Sequence, residues 1–179
     1  MLLQVCKNNY LKSLKWMSLI IGIAVLAFLL VYVYLNLTSG TKLPHPMSYH
    51  TNIFKDTQDN PDFRHVLFTG KNSQLVVMSI PPGGEVGKET HKYTEQTLFF
   101  LSGVGKGELD GKEFLISPGD VVVVVPGTDH NFWNTGTVDL KIYTVYAPPN
   151  HIDGRIQHTK ADADADTADE AVGETAPIK

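Results

Sequence analysis

A single cysteine, Cys6, stands in the 179-residue chain, so an intramolecular disulfide and any cysteine-based zinc cluster are both excluded. Basic residues are few and scattered. Against 19 Asp and Glu stand 15 Lys and Arg, for a formal net charge of -4, and no basic stripe with interleaved aromatics marks a nucleic-acid surface. Helical periodicity is missing from the whole stretch between Phe63 and Tyr146, which excludes a helical bundle there. A 42% hydrophobic content over this length suffices for one barrel-sized core and not for two ordinary domains.

What is present begins with an apolar run. After a short basic segment at residues 1–15, residues 16–37 carry no charge and match the roughly 20 residues a helix needs to cross a bilayer. Trp16 at one end and Tyr32 and Tyr34 near the other suit the interfacial zones. The run exceeds the apolar core of a signal peptide, and Asn36-Leu-Thr-Ser-Gly is a poor cleavage site. Lys7, Lys12 and Lys15 precede it, whereas Lys42 alone follows closely, so the positive-inside bias places the N-terminus in the cytoplasm and the rest of the chain outside. The expectation is a single-pass membrane protein. Residues 38–47, with Gly40, Pro44 and Pro46, read as a linker.

Beyond the linker, Ser48 to Phe63 reads as a loop or outer strand, and then the β rhythm is steady. Phe63-Arg-His-Val-Leu-Phe-Thr and Gln74-Leu-Val-Val-Met-Ser-Ile form a hairpin pair around Gly70-Lys-Asn-Ser. Turn signals recur at Pro82-Gly83-Gly84, Gly103, Asp110-Gly111, Pro118-Gly119, Pro126-Gly127 and Asn134-Thr-Gly136. Asp110-Gly111 predicts a type I′ hairpin, because both positions tolerate positive φ. The continuous run Val121 to Val125 predicts a strand covered on both faces, and Pro148-Pro149 ends the strand beginning at Leu140.

Two stretches carry the chemistry: Gly87-Lys-Glu-Thr-His91-Lys-Tyr93-Thr-Glu95-Gln96, and Gly119 through Pro126-Gly127, His130 and Asn134. They resemble the paired cupin motifs, roughly G-x5-H-x-H-x3-4-E-x6-G and G-x5-P-x-G-x2-H-x3-N. In the second, Gly119, Gly127, His130 and Asn134 are in register and Val125 replaces the proline. In the first, Tyr93 is aligned with the second His and Gln96 falls near the Glu. Asp62-Phe-Arg, Tyr143-Thr-Val-Tyr-Ala-Pro-Pro and His158-Thr-Lys-Ala-Asp-Ala extend the likeness to a single-domain bacterial cupin group (cupin type-2), loosely labelled mannose-6-phosphate-isomerase-like, over about Asn52 to Ala163. The resemblance implies an all-β fold, a cupin double-stranded β-helix barrel over residues 48–159, preceded here by one transmembrane α-helix.

It also implies a divalent metal, iron, manganese, nickel or zinc, since such ions favour imidazole nitrogen and side-chain oxygen on converging strands. His91 and His130 supply nitrogen. Gln96 and Glu95 are alternative oxygen donors, because neighbours on a strand face opposite ways. Counted from Gly103, Gln96 is preferred, in phase with Leu98 and Phe100. Tyr93 contributes a phenol oxygen or walls the pocket. A neutral Gln leaves the ion more positive and favours an anionic ligand. His45, His50, His65, His151 and His158 are read as surface or edge residues, though His158 could fold back over the mouth. Residues 160–179, low in complexity and acidic, are expected to be disordered. Two functions fit: an enzyme acting on a small organic molecule, as oxygenase or isomerase, or a tethered module that binds a small molecule or metal. A homodimer is compatible with either.

Overall fold

The computed structural model of the chain describes residues 26–32 and 48–175. They fall in two units, Met1–Pro44 and His45–Lys179. In the first unit, residues 26–32 are helical. The rest of the expected span over residues 16–37, and the linker at 38–47, lie outside the described residues. Among the described residues no helix is long and apolar enough to cross a membrane.

The second unit opens with a helix, α1 (Ile53–Asp59), where a loop or outer strand was expected. Asn52 caps it, its side-chain oxygen accepting from the backbone N–H of Lys55. Ten strands follow: β1 (Arg64–Thr69), β2 (Gln74–Ile80), β3 (Glu89–Thr90), β4 (Glu95–Ser102), β5 (Gly105–Leu109), β6 (Lys112–Ile116), β7 (Val121–Val124), β8 (Asp129–Asn134), β9 (Leu140–Ala147) and β10 (Ile156–Gln157). They form two antiparallel sheets, ordered β10-β1-β2-β9-β4-β7 and β3-β8-β5-β6. The all-β expectation holds. The β5–β6 turn has Asp110 at φ 47 and Gly111 at φ 78, the left-handed pair a type I′ hairpin needs.

Alternation decides what lies between the sheets. Val76, Met78 and Ile80 from β2, Leu98 and Phe100 from β4, Ile142 and Tyr146 from β9, and Phe132 from β8 point inward into one core. Each such side chain contributes about 1.5–3 kcal/mol by leaving water. On the outer face of the larger sheet, α1 packs across β2, β4 and β9, and Tyr143 stacks on Phe99 with ring centroids 4.7 Å apart. The valine run behaves differently from expectation. Strand β7 lies at the edge of the sheet, beyond β2, β4 and β9 on which α1 packs, so Val122 and Val124 are buried toward the core while Val121 and Val123 on the outer face are half exposed.

The acidic C-terminal stretch is the larger correction. Residues expected to be disordered form two helices, α2 (Lys160–Ala165) and α3 (Thr167–Gly173). Thr159 and Asp162 make a reciprocal capping box, and Asp166 caps α3 by accepting from Asp169 N–H. Helices this short are not stable alone. Two carboxylates dock them: Asp166 meets Arg155 Nε and Gln157 Nε2, each at 3.0 Å, and Asp169 is 2% exposed among polar partners. Residues 176–179 lie outside the described residues.

Candidate metal centre

The site is built where the short strand β3 meets β8. Register places Glu89 directly opposite His130, and His91 lies two residues on from Glu89. Glu89 Oε2 is 3.4 Å from His91 Nε2 and 3.9 Å from His130 Nε2. The three donor atoms lie within 4.8 Å of one another, a spacing that a single ion can bridge. The imidazole rings of His91 and His130 have centroids 5.1 Å apart. The turn before β8 is held against the site, since Gly127 N–H donates to His91 C=O at 2.8 Å.

Sequence reasoning missed Glu89, though a signal for it existed. Counting back from Gly103 gives Gly83-x5-Glu89-x-His91-x4-Gln96-x6-Gly103, the complete first motif with Glu in place of the first His and Gln in place of the Glu. The register taken from Gly87, with Tyr93 at the second His position, is therefore wrong. Residues 91–94 form a bend outside any strand. There Tyr93 packs its ring under the Lys92 ammonium, 5.0 Å from the centroid, and is not among the residues lining the cavity.

Strand phase turns Gln96 inward and Glu95 outward. Glu95 is exposed and belongs to no cluster of ligand atoms. Gln96 is 1% exposed, on the inner face of β4, and donates from Nε2 to the Tyr146 hydroxyl at 2.9 Å. Its Oε1 has no partner. Nor have Glu89 Oε2, His91 Nε2 and His130 Nε2, all of them buried. Buried polar atoms are nearly always paired, so orphans on one carboxylate, two imidazoles and one amide need an explanation.

Protonation states suit a cation. His130 Nδ1 lies 3.0 Å from Thr128 C=O and donates to it, leaving a lone pair on Nε2. The Asn150 amide sits 3.4 Å from His91 Nδ1. It is the amide nitrogen Nδ2 that faces the ring; only the flipped amide, with Oδ1 accepting from Nδ1–H, would leave the lone pair on Nε2. Burial pushes the His91 pKa down to about 4 against the opposing pull of Glu89, so the ring is neutral at pH 7. Burial alone would raise the Glu89 pKa, but the Arg64 guanidinium, 3.1 Å from Oε1, and the neighbouring histidines hold it below its ordinary value. Oε2 is thus an ionised donor. Glu89 places at this cluster the negative charge that the neutral Gln96 lacks.

A cavity of about 370 Å³ opens beside Glu89 and His91, walled by Arg64, Asn150 and His151 and, opposite, by residues of α2 and α3. His151 is therefore not a surface residue: it is 7% exposed and its Nδ1 meets Asp169 Oδ2 at 2.8 Å. His158 remains exposed and pairs with Asp62 at 2.6 Å.

With fold and site in view, the comparisons agree on the class. A family model, the cupin domain, matches residues 76–146. The protein YrkC of Bacillus subtilis (strain 168), itself uncharacterized, is 39% identical over 124 residues, covering 66% of this chain and 67% of that protein. MJ1618 of Methanocaldococcus jannaschii, also uncharacterized, is 30% identical over 105 residues, 56% of this chain and 84% of the relative. The crystal structure of BH2720 from Bacillus halodurans superposes with a TM-score of 0.65 at 34% identity, covering 69% of this chain and 97% of that one. The chain belongs to the cupin family.

Proposed function

We propose that this protein is a membrane-tethered cupin that holds one divalent first-row metal through Glu89, His91, Gln96 and His130 and acts on a small organic molecule in the adjoining cavity. The observation that carries the reading is the set of four buried, partnerless donor atoms on those residues. They fit iron, manganese, nickel or zinc, which accept mixed imidazole and oxygen donors. Such an ion, when bound, polarises a carbonyl or activates dioxygen. An enzyme is favoured over a passive binding module, because the Glu89, His91 and His130 cluster opens onto a cavity large enough for a small substrate. Tethering rests on the uncharged run at residues 16–37, and the lysines before it favour a cupin domain outside the cytoplasm.

Elemental analysis of the purified protein should find one metal per chain. Glu89→Ala and Gln96→Ala should each weaken binding, His91→Ala with His130→Ala should abolish it while leaving the β-sheet circular dichroism intact, and Glu95→Ala should change nothing. A wild-type protein that takes up none of Fe(II), Mn(II), Ni(II) or Zn(II) would sink the reading.

A further inference from the structure

His151 and Asp169 form a buried pair outside the ligand set. The backbone of His151 is clamped by Gln74 of β2, whose Nε2 donates to His151 C=O at 2.8 Å and whose Oε1 accepts from His151 N–H at 3.0 Å. The ring stands edge-on to Tyr146 at 4.9 Å, and the same Tyr146 ring meets His91 at 5.7 Å. Asp169 arrives from α3. One of its oxygens accepts from Ile152 N–H at 2.7 Å and the other from His151 Nδ1 at 2.8 Å, with 7% and 2% exposure of the histidine and aspartate.

This leaves one atom unexplained. His151 Nε2 is buried without a partner, and the ring lines the same cavity as Glu89 and His91. Most buried structural histidines have both nitrogens satisfied. With Asp169 accepting the Nδ1 proton, Nε2 carries the lone pair, the tautomer of a general base. The charged and titratable groups around it are Arg64, Glu89, His91, Asp169 and Tyr146. Burial, with Arg64 adding to it, holds the imidazole pKa below its ordinary value, so the ring is neutral when a proton arrives. The far wall of the cavity carries Asp164, Glu170 and Glu174, while each basic group of the lining is tied to a carboxylate, Lys160 to Asp164 at 2.8 Å, Lys88 to Asp129 at 3.2 Å and Arg64 to Glu89 at 3.1 Å, a lining that disfavours anions.

We propose that His151 and Asp169 are a proton-transfer dyad for a small uncharged carbonyl compound of the α-hydroxy ketone class held in this cavity. The proposal rests on the metal reading for the hold on the carbonyl and hydroxyl oxygens. In the step, the C–H bond beside the carbonyl breaks and its proton moves to His151 Nε2. The C–H electron pair becomes the C=C bond of an enediolate, and the carbonyl π pair moves onto its oxygen. Asp169, a positioning residue, holds Nδ1–H and offsets the imidazolium charge. Return of a solvent-exchanged proton regenerates the ketone, so no oxidant or reductant is consumed.

The test uses the full chain in detergent micelles, loaded with Zn(II), with dihydroxyacetone in D2O as probe. Proton NMR should show loss of the methylene signal about a hundredfold faster with wild type than with His151→Gln at equal zinc content. Nitrogen-15 spectra of the wild-type imidazoles should place the His151 proton on Nδ1 and the lone pair on Nε2. Asp169→Asn should slow the exchange and mix the two tautomers. Equal exchange in wild type and His151→Gln, no exchange by wild type, or a protonated Nε2 overturns the proposal. Zinc content is measured separately: failure of uptake is failure of the metal reading, and the tautomer then judges the dyad alone.

Discussion

Burial of His91 beside Glu89 gives the metal-free protein a pH dependence whose sign follows from the shift. In the unfolded chain this imidazole takes its proton near pH 6.5, but in the folded protein only near pH 4, because burial disfavours the charged ring. Between those values the unfolded state binds more protons. Stability is therefore retained above about pH 6.5 and falls toward pH 4 by up to about 1.4 kcal/mol per pH unit from this group. Urea unfolding of the metal-free protein at pH 7, 5.5 and 4.5 should show falling midpoints, and His91→Gln should flatten the curve. An unchanged slope in that variant would refute the assignment. Much at this scale was legible: strand phase put Gln96 inward and Glu95 outward. Glu89 was obscured by Gly87, a nearer glycine than Gly83 from which to count.

At the scale of elements, α2 and α3 show how composition misleads. Alternating Ala and Asp lack the apolar residues that order a segment by burial, and disorder was the natural reading. The capping pair Thr159 and Asp162 is a local contact, whereas the docking of Asp169 is not. Its partners come from β1, β10 and the segment after β9: Arg64 Nη1 at 3.8 Å, Gln157 Nε2 at 3.4 Å and His151 Nδ1 at 2.8 Å. Asp169→Ala leaves those buried donors without a carboxylate and should cost about 3 kcal/mol. Denaturant melts check the cost. Hydrogen exchange should show α2 and α3 losing protection first, and unchanged protection would mean that the helices hold by other contacts. The same logic separates β7 from expectation, since nothing local distinguishes a valine strand inside a sheet from one at its edge.

For the whole molecule, the apolar run and the cupin unit make separate predictions. The intact chain should need detergent, whereas residues 41–179 alone should be soluble, β-rich by far-UV circular dichroism and cooperative in melting. A chain cut at residue 160 should melt several degrees lower, because it lacks α2 and α3. Detergent-free solubility of the intact chain would refute the membrane span. Protease added outside intact cells should remove the cupin domain if the lysine bias sets orientation, and protection until lysis would reverse it.

The sequence by itself determined most of the strands and turns, the inward phase of Gln96 with Leu98 and Phe100, and His91 and His130 as candidate ligands, because period-two alternation and left-handed turn residues act over a few neighbours. The register of β3 against β8, the closure of the cavity by an acidic segment and the pairing of His151 with Asp169 were decided only by the tertiary structure. They depend on which distant backbone lies across from which, and a buried carboxylate is stable only where distant parts of the fold bring its donors together.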